Sequence, residues 1–297
     1  QLATTRKYRR GVRAVRKTEL GRTGLNISTV GLGAWAIGGG EWQGGWGPQD
    51  DDASIAAIEH AVGGGVNWID TAAAYGLGRA EEVVGRAVRG LPEADRPLVF
   101  TKCGLVWDPD VVWQPGETQV SNVLAPDSIR KECDDSLRRL GVDVIDLFQI
   151  HWPSEDGTPI EDSWATMVEL VNAGKVRFIG VSNFEVELLE QCEAIRHVDT
   201  FQPQLSLLVR DAIDTTLQWC EAHGTGVIVY SPMGSGLLTG AFTAERAATL
   251  PVDDWRRDHE EFTGPGLERN LRFVDRLRDV ADRLGCTVPE LAVAWTL

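Results

Sequence analysis

The 297-residue sequence has few of several things, beginning with three tyrosines and five histidines. No apolar run approaches the roughly 18 residues that a membrane-spanning helix needs, so no membrane partner is expected. The five cysteines (Cys103, Cys133, Cys192, Cys220 and Cys286) are odd in number, widely spaced and without a C-x-x-C pair. That pattern argues against a disulfide framework or a zinc cage and fits reduced thiols in a cytoplasmic protein. Basic charge is scarce too, with 29 Lys and Arg against 44 Asp and Glu. Seven of the basic residues fall in residues 1–17, which hold no acid, leaving 22 basic against 44 acidic residues and a body of net charge −22. Such a body repels phosphate backbones, which argues against nucleic-acid binding. The arm has no apolar core and is not a secretory signal; its charge run also fits a nucleic-acid or membrane-surface tail or a transit sequence, and it is read as a disordered extension.

What is present is alternation. Seven short runs rich in β-branched or aromatic residues, "STVGLGAW", "VNWIDT", "PLVFTKC", "DVIDLFQIH", "VRFIGVS", "TFQPQLS" and "GVIVYSP", are separated by segments of helical period. Several helical segments end in glycine, at Gly90, Gly141, Gly174 and Gly224, where a C-cap wants positive φ. Alternation over more than 200 residues implies a parallel sheet covered by helices, either doubly wound or closed into a barrel. "KTELGRTGLNIS" predicts a hairpin turning at Arg22 to Gly24. Near the other end, Leu271, Val274, Leu277, Val280, Ala281 and Leu284 mark one helical face, and "TVPELAVAWTL" begins another helix. An eight-strand barrel needs one more strand and helix than can be found, and the chain begins with Gln, so a C-terminally incomplete barrel domain over residues 18–297 is expected. Two long loops, "GGGEWQGGWGPQDDD" and residues 106–125, are long enough to be lids.

Polar residues stand where the runs end. Asp70 closes the second run, Lys102 the third and His151 the fourth, at the carboxyl ends where a (β/α) barrel places its active site. Singly, each has an ordinary explanation: a structural Asp70–Lys102 ion pair, a satisfied core histidine, a loop-packing Tyr75. Jointly they form a coherent acid. A phenol with a pKa near 10 is a weak donor unless a cation stabilises its phenolate, a task for Lys102. Asp70 would keep Lys102 charged and aimed, and His151 would orient a substrate oxygen. The other histidines considered, His60, His197 and His223, lie in or after helices, which argues against a metal hydrolase and predicts no metal. "GLGAWA" fits a Rossmann phosphate turn, but the glycines that follow it cannot open the helix such a turn requires.

"GLGAWAIGG", "NWIDTAAAYG", "FTKCG", "QIHWP", "GVSNF" and "YSPMGSGLLTG" occur in the order and approximate spacing of the aldo-keto reductases, and the sequence resembles that family over about residues 17–297. It looks most like the bacterial branch near the general-stress and inositol-pathway reductases. The resemblance implies a (β/α)8 TIM barrel that reduces an aldehyde or ketone with NADPH, NADH not excluded, on a small-molecule carbonyl substrate, and a monomer. It implies a tetrad of Asp70, Tyr75, Lys102 and His151, and nicotinamide contacts from Ser182, Asn183 and Gln202. It also implies a pyrophosphate cradle from Tyr230, Ser231, Pro232, Met233, Gly234, Ser235, Gly236 and Leu237, a stretch rich in small residues and free amides. Two departures stand out: Leu205 occupies the place of an aromatic that stacks on the nicotinamide, and the arginine-containing segment that clamps the 2′-phosphate would follow the last residue. Trp35, Trp107 and Trp152, beside strand ends, are expected to line the substrate pocket, while Trp164 and Trp219 are expected in the core. The alternative is a regulatory subunit of the potassium-channel β type, which shares fold and tetrad.

Overall fold

Side chains alternate faces along a strand, so each apolar run must find cover on both sides or end at the surface. The computed structural model describes residues 15–40, 42–108, 110 and 120–297. The expectation of a disordered arm therefore falls almost wholly, over residues 1–14, outside the described residues, as does the tip of the second long loop. The predicted hairpin is present as β1 (Lys17–Glu19) and β2 (Asn26–Ser28), antiparallel, with Gly21 and Gly24 at φ 55° and 71° in its turn. Next come β3 (Leu32–Gly33), α1 (Asp51–Gly63), β4 (Trp68–Asp70), α2 (Arg79–Gly90) and β5 (Leu98–Cys103). A second antiparallel hairpin, β6 (Leu105–Trp107) with β7 (Val120–Asn122), occupies part of the long loop expected there. The alternation resumes with α3 (Pro126–Leu140), β8 (Ile145–Ile150), α4 (Ile160–Asn172), β9 (Val176–Ser182) and α5 (Val186–Glu193). It continues through β10 (Thr200–Gln202), α6 (Thr216–His223) and β11 (Gly226–Val227). Three helices follow, α7 (Ala244–Ala248), α8 (Gly264–Leu284) and α9 (Val288–Trp295).

The seven apolar runs each supply one strand of a seven-stranded parallel sheet, in the order β11-β10-β9-β8-β5-β4-β3. One face of these strands carries Ile69, Val99, Phe148, Ile179 and Phe201 into a core shared with Ile58, Val84, Ile129, Trp164 and Met167 of the helices. The opposite face carries Trp68, Phe100 and Leu147, which pack with Ile228 beside β11. Because β4 and β11 lie near opposite ends of the sheet, they can share that cluster only if the sheet curls as a barrel wall does. Leu20, Leu25 and Ile27 of the hairpin close the amino end of this interior. Gly21 lets that plug approach: a Cβ there would stand 2.3 Å from the Gly226 backbone nitrogen.

One residue pair further along, the inward face turns polar, with Asp70, Lys102, Gln149, Thr200 and Gln202 continuing the file begun by Trp68, Phe100 and Leu147. Gly180 on β9 leaves room for Thr200 Oγ1 to reach Gln149 Oε1 at 3.3 Å, since a Cβ at Gly180 would stand 2.0 Å from that hydroxyl. Helix boundaries follow local chemistry. Asp50 caps α1 by accepting the Ala53 N–H at 2.7 Å, and Thr287 with Glu290 forms a capping box on α9. Gly141, Gly174 and Gly224 have the expected positive φ, whereas Gly90 is the last residue of α2 and is not among the positive-φ glycines. On α8 the expected face is buried at Val274 and Ala281, but Leu284 is 65 % exposed because the helix ends beyond the neighbours that cover it. Among the described residues no helix is long and apolar enough to cross a membrane.

Candidate active site

Asp70, Lys102 and His151 meet at the carboxyl end of the curled sheet, as the ends of their runs require. Lys102 Nζ lies 2.5 Å from Asp70 Oδ2, donates to the Thr71 carbonyl at 2.9 Å and reaches Tyr75 Oη at 3.5 Å. Tyr75 is carried by the turn between β4 and α2, which is held by close backbone contact: a Cβ on Gly38 would stand 2.6 Å from the Gly76 nitrogen and 2.8 Å from the Tyr75 carbonyl carbon. Gly76, Leu77 and Gly78 all take positive φ there, at 61°, 54° and 101°. The phenol ring stacks with Trp35 at 6.2 Å and meets the His151 ring edge-on at 5.6 Å.

Burial sets the protonation states. Lys102 is fully buried, and desolvation lowers its pKa while Asp70 opposes that fall. Desolvation, with a contribution from Lys102, holds the His151 pKa well below the usual imidazole value, so the ring is neutral near pH 7. Burial raises the Tyr75 pKa well above 10, with the Asp70 charge adding to the rise. The sequence argument had the opposite sign, a phenol made more acidic by Lys102. In the resting site desolvation and the Asp70 charge keep the phenol protonated, while the Lys102 ammonium, 3.5 Å from Tyr75 Oη, stands where it can stabilise a phenolate once the proton has left.

A second network adjoins the first. Asn183, in the left-handed region at φ 62°, donates from Nδ2 to the His151 carbonyl and to Ser182 Oγ, both at 3.0 Å. Its Oδ1 accepts the Tyr230 hydroxyl at 2.8 Å. Ser182 Oγ donates to the Gln202 carbonyl at 2.7 Å, and Gln202 Nε2 donates to Asp70 Oδ1 at 2.9 Å. Past β11 the backbone takes positive φ at Ser231, Gly234, Ser235 and Gly236, turning the chain tightly enough to present amide groups. Ser182, Asn183, Gln202, Tyr230, Ser231, Gly234 and Ser235 line one cleft of about 460 Å³ that also holds Tyr75 and His151. Amide and hydroxyl groups at one end and a small-residue turn at the other fit a nicotinamide dinucleotide. The cradle is narrower than expected: Pro232, Met233, Gly236 and Leu237 do not line the cleft. Leu237 is fully buried against Phe242, Phe262 and Leu267, because the turn at Gly234 to Gly236 swings it inward. Leu205 is likewise buried outside the lining, where Gln204 and Ser206 stand instead.

Trp35 and Trp152 also line the cleft. Trp107 does not; it sits on β6 with the Arg139 guanidinium 5.9 Å from its ring, turned away from the cleft. The sequence reading missed Trp42, Trp255, Gln43, His259 and Glu261, all of which line the cleft. Trp42 lay in a segment already marked as a lid, but Trp255 comes from a stretch without a motif and stacks on Trp35 at 5.4 Å. The neighbouring Arg256 and Asp254 form a buried ion pair, Nη2 to Oδ2 at 2.6 Å. Arg256 also donates to the Ser235 carbonyl at 3.2 Å and covers the Trp46 ring at 4.4 Å, joining the turn after β11 to the first long loop. Trp164 and Trp219 are buried on α4 and α6 as expected.

The chain matches the aldo/keto reductase family over residues 29–297. It is 36% identical to the aldo-keto reductase YhdN of Bacillus subtilis strain 168 over 281 residues, 94% of this chain and 80% of that protein. It is 35% identical to the NADH-specific methylglyoxal reductase of Escherichia coli K12 over 288 residues, 95% of this chain and 86% of that protein. The solved structure of the glycerol dehydrogenase AKR11B4 from Gluconobacter oxydans superposes with a TM-score of 0.83 at 38% identity, covering 96% of this chain and 83% of that one. With its parallel curled sheet and these relatives, the chain belongs to the aldo/keto reductase family, whose reaction is the NAD(P)H-dependent reduction of carbonyl compounds.

Proposed function

We propose that residues 18–297 form one catalytic domain in which Tyr75 is the general acid for reduction of an aldehyde or ketone to an alcohol. The observation that carries this is Lys102 Nζ, placed within reach of Asp70 Oδ2 and Tyr75 Oη together. When a reduced nicotinamide dinucleotide is bound, it supplies the hydride for the carbonyl carbon. Ser182, Asn183 and Gln202 would hold its carboxamide, and the turn from Tyr230 to Ser235 its pyrophosphate. His151, neutral by burial, can donate an N–H to the substrate oxygen without competing as an acid. Tyr75 keeps its proton until negative charge develops on that oxygen, then donates from Oη. The phenolate left behind is stabilised by Lys102, whose ammonium is maintained by Asp70. The relatives, named as reductases and a dehydrogenase, support turnover over the regulatory-subunit reading.

The relatives include an NADH-specific protein, so the test uses both dinucleotides. With 4-nitrobenzaldehyde, absorbance at about 340 nm should fall, and Tyr75→Phe should lower kcat by roughly 10²–10⁴-fold, as expected for loss of a general acid. Equal rates for the two proteins would remove Tyr75 from the mechanism. The same reading makes the protein a monomer in the cytoplasm, consistent with five free cysteines; light scattering checks the first point and localisation of a tagged chain the second.

A further inference from the structure

The chemistry at the substrate end of the cleft restricts what can enter. Its lining includes the indoles of Trp35, Trp42, Trp152 and Trp255, with Trp35 stacked on Trp255 at 5.4 Å. Ring faces carry the negative part of the aromatic quadrupole, so they hold flat neutral groups by dispersion and cations by electrostatics, and disfavour anions. Among the described residues that line the cleft there is no Lys or Arg, whereas Glu261 is present at its rim. Two cations that do not line the cleft, Lys102 beside Tyr75 and Arg256 beside Trp46, are each ion-paired, to Asp70 and Asp254.

We infer that this end selects neutral or cationic carbonyl compounds against those bearing a carboxylate or phosphate, so that aldehydic acids, keto acids and sugar phosphates are poor substrates. The inference rests on the carbonyl-reductase reading of the same cleft. An anionic group seated among the indoles would lose hydration, find no Lys or Arg among the described lining residues and face Glu261.

Three benzaldehydes of one shape test it: 3-(4-formylphenyl)propanoate, its primary amide, and the 2-(4-formylphenyl)ethyl trimethylammonium cation. Two methylene groups separate the charge from the ring, so the intrinsic reactivity of the carbonyl is shared. The amide and the cation should be reduced with similar kcat/KM, and the carboxylate with kcat/KM at least about fivefold lower, mainly through KM. The gap should narrow between about 20 mM and about 500 mM salt, as screening requires, and narrow again in Glu261→Gln. A carboxylate gap smaller than fivefold, or one that neither salt nor Glu261→Gln reduces, overturns the inference. If the amide and the cation are not reduced either, it is the reductase reading that fails, and that result is distinct from equal turnover of all three.

Discussion

Glu132 gives the sharpest link between burial and pH. It lies on α3 at 8 % exposure, accepts the Gly104 N–H at 2.9 Å and takes the Ser128 hydroxyl at 3.1 Å. Burial raises its pKa from 4.5 to about 7 despite those hydrogen bonds and the nearby Arg139, which pull the other way. Between those two values the folded protein binds a proton that the unfolded chain has released. Its contribution is therefore fully present below pH 4.5 and is lost as pH rises through about 7. At ~1.4 kcal/mol per pH unit, that rise corresponds to about 3 kcal/mol of lost stability in alkaline solution. Glu132→Gln retains a carbonyl to accept from Gly104, its amide can donate to Ser128, and it cannot ionise. The variant should melt roughly 5–10 °C above the wild type at pH 8.5 and within about 2 °C of it near pH 5, in thermal scans by circular dichroism. Equal melting temperatures at pH 8.5, or a variant that loses ground as pH rises, would refute the argument. Gly104 opens the β6–β7 hairpin, and Leu105 and Val120 of that hairpin line the cleft, so KM measured across the same pH range reports whether this anchor also steadies the substrate wall.

Three further outcomes follow from the site. With the Tyr75 pKa raised well above 10 and that of His151 held well below 6.5, kcat/KM should be flat from about pH 6 to about pH 9, and an inflection near 6.5 that His151→Gln abolishes would contradict a neutral imidazole. Because the folded pKa of His151 is the lower one, its contribution to stability is present above the unfolded value of ~6.5 and falls away in acid, which thermal scans at pH 4 to 7 would record. Gly38→Ala places a Cβ 2.6 Å from the Gly76 nitrogen and 2.8 Å from the Tyr75 carbonyl carbon, so the turn must move; kcat should fall about 10–100-fold with far-UV circular dichroism unchanged, and an unaffected kcat would show that the turn is not fixed by this contact.

The strands were legible because a buried parallel strand is apolar on both faces, and each of the seven runs contains one. The meeting of Asp70, Lys102 and His151 was legible for a related reason: a charge at the end of such a run has nowhere to go but the carboxyl rim. Direction of side chains past the strand ends was not legible. Trp107 and Trp152 both lie within a few residues of the ends of β5 and β8, yet one packs on Arg139 and the other lines the cleft. Leu237 looked like part of a phosphate turn until the positive φ at Ser235 and Gly236 turned it into the core. The Tyr75 pKa was out of reach for a deeper reason. Sequence shows which charges are near, but not how far the fold desolvates the phenol, and here desolvation is the larger cause of the rise, with Asp70 adding to it.

Two motifs that sequence reads separately, one for the acid and one for the cofactor, share a single hydrogen-bonded chain in the fold. Asp70 has two carboxylate oxygens; Oδ2 takes Lys102 and Oδ1 takes Gln202, whose backbone carbonyl in turn takes Ser182. Ser182 Oγ and the His151 carbonyl both accept from Asn183, which returns the chain to the tetrad. Lys102, Gln202, Ser182 and His151 are buried at or near the layer where the inward file changes from Trp68, Phe100 and Leu147 to polar residues, and Asp70 and Asn183 are partly buried beside them. In such surroundings a group that loses its partner carries the full cost of desolvation. The charge state of Lys102 therefore depends on both oxygens of Asp70 being satisfied, and the residues proposed to hold the nicotinamide also help fix the electrostatic state of the residues proposed to deliver the proton.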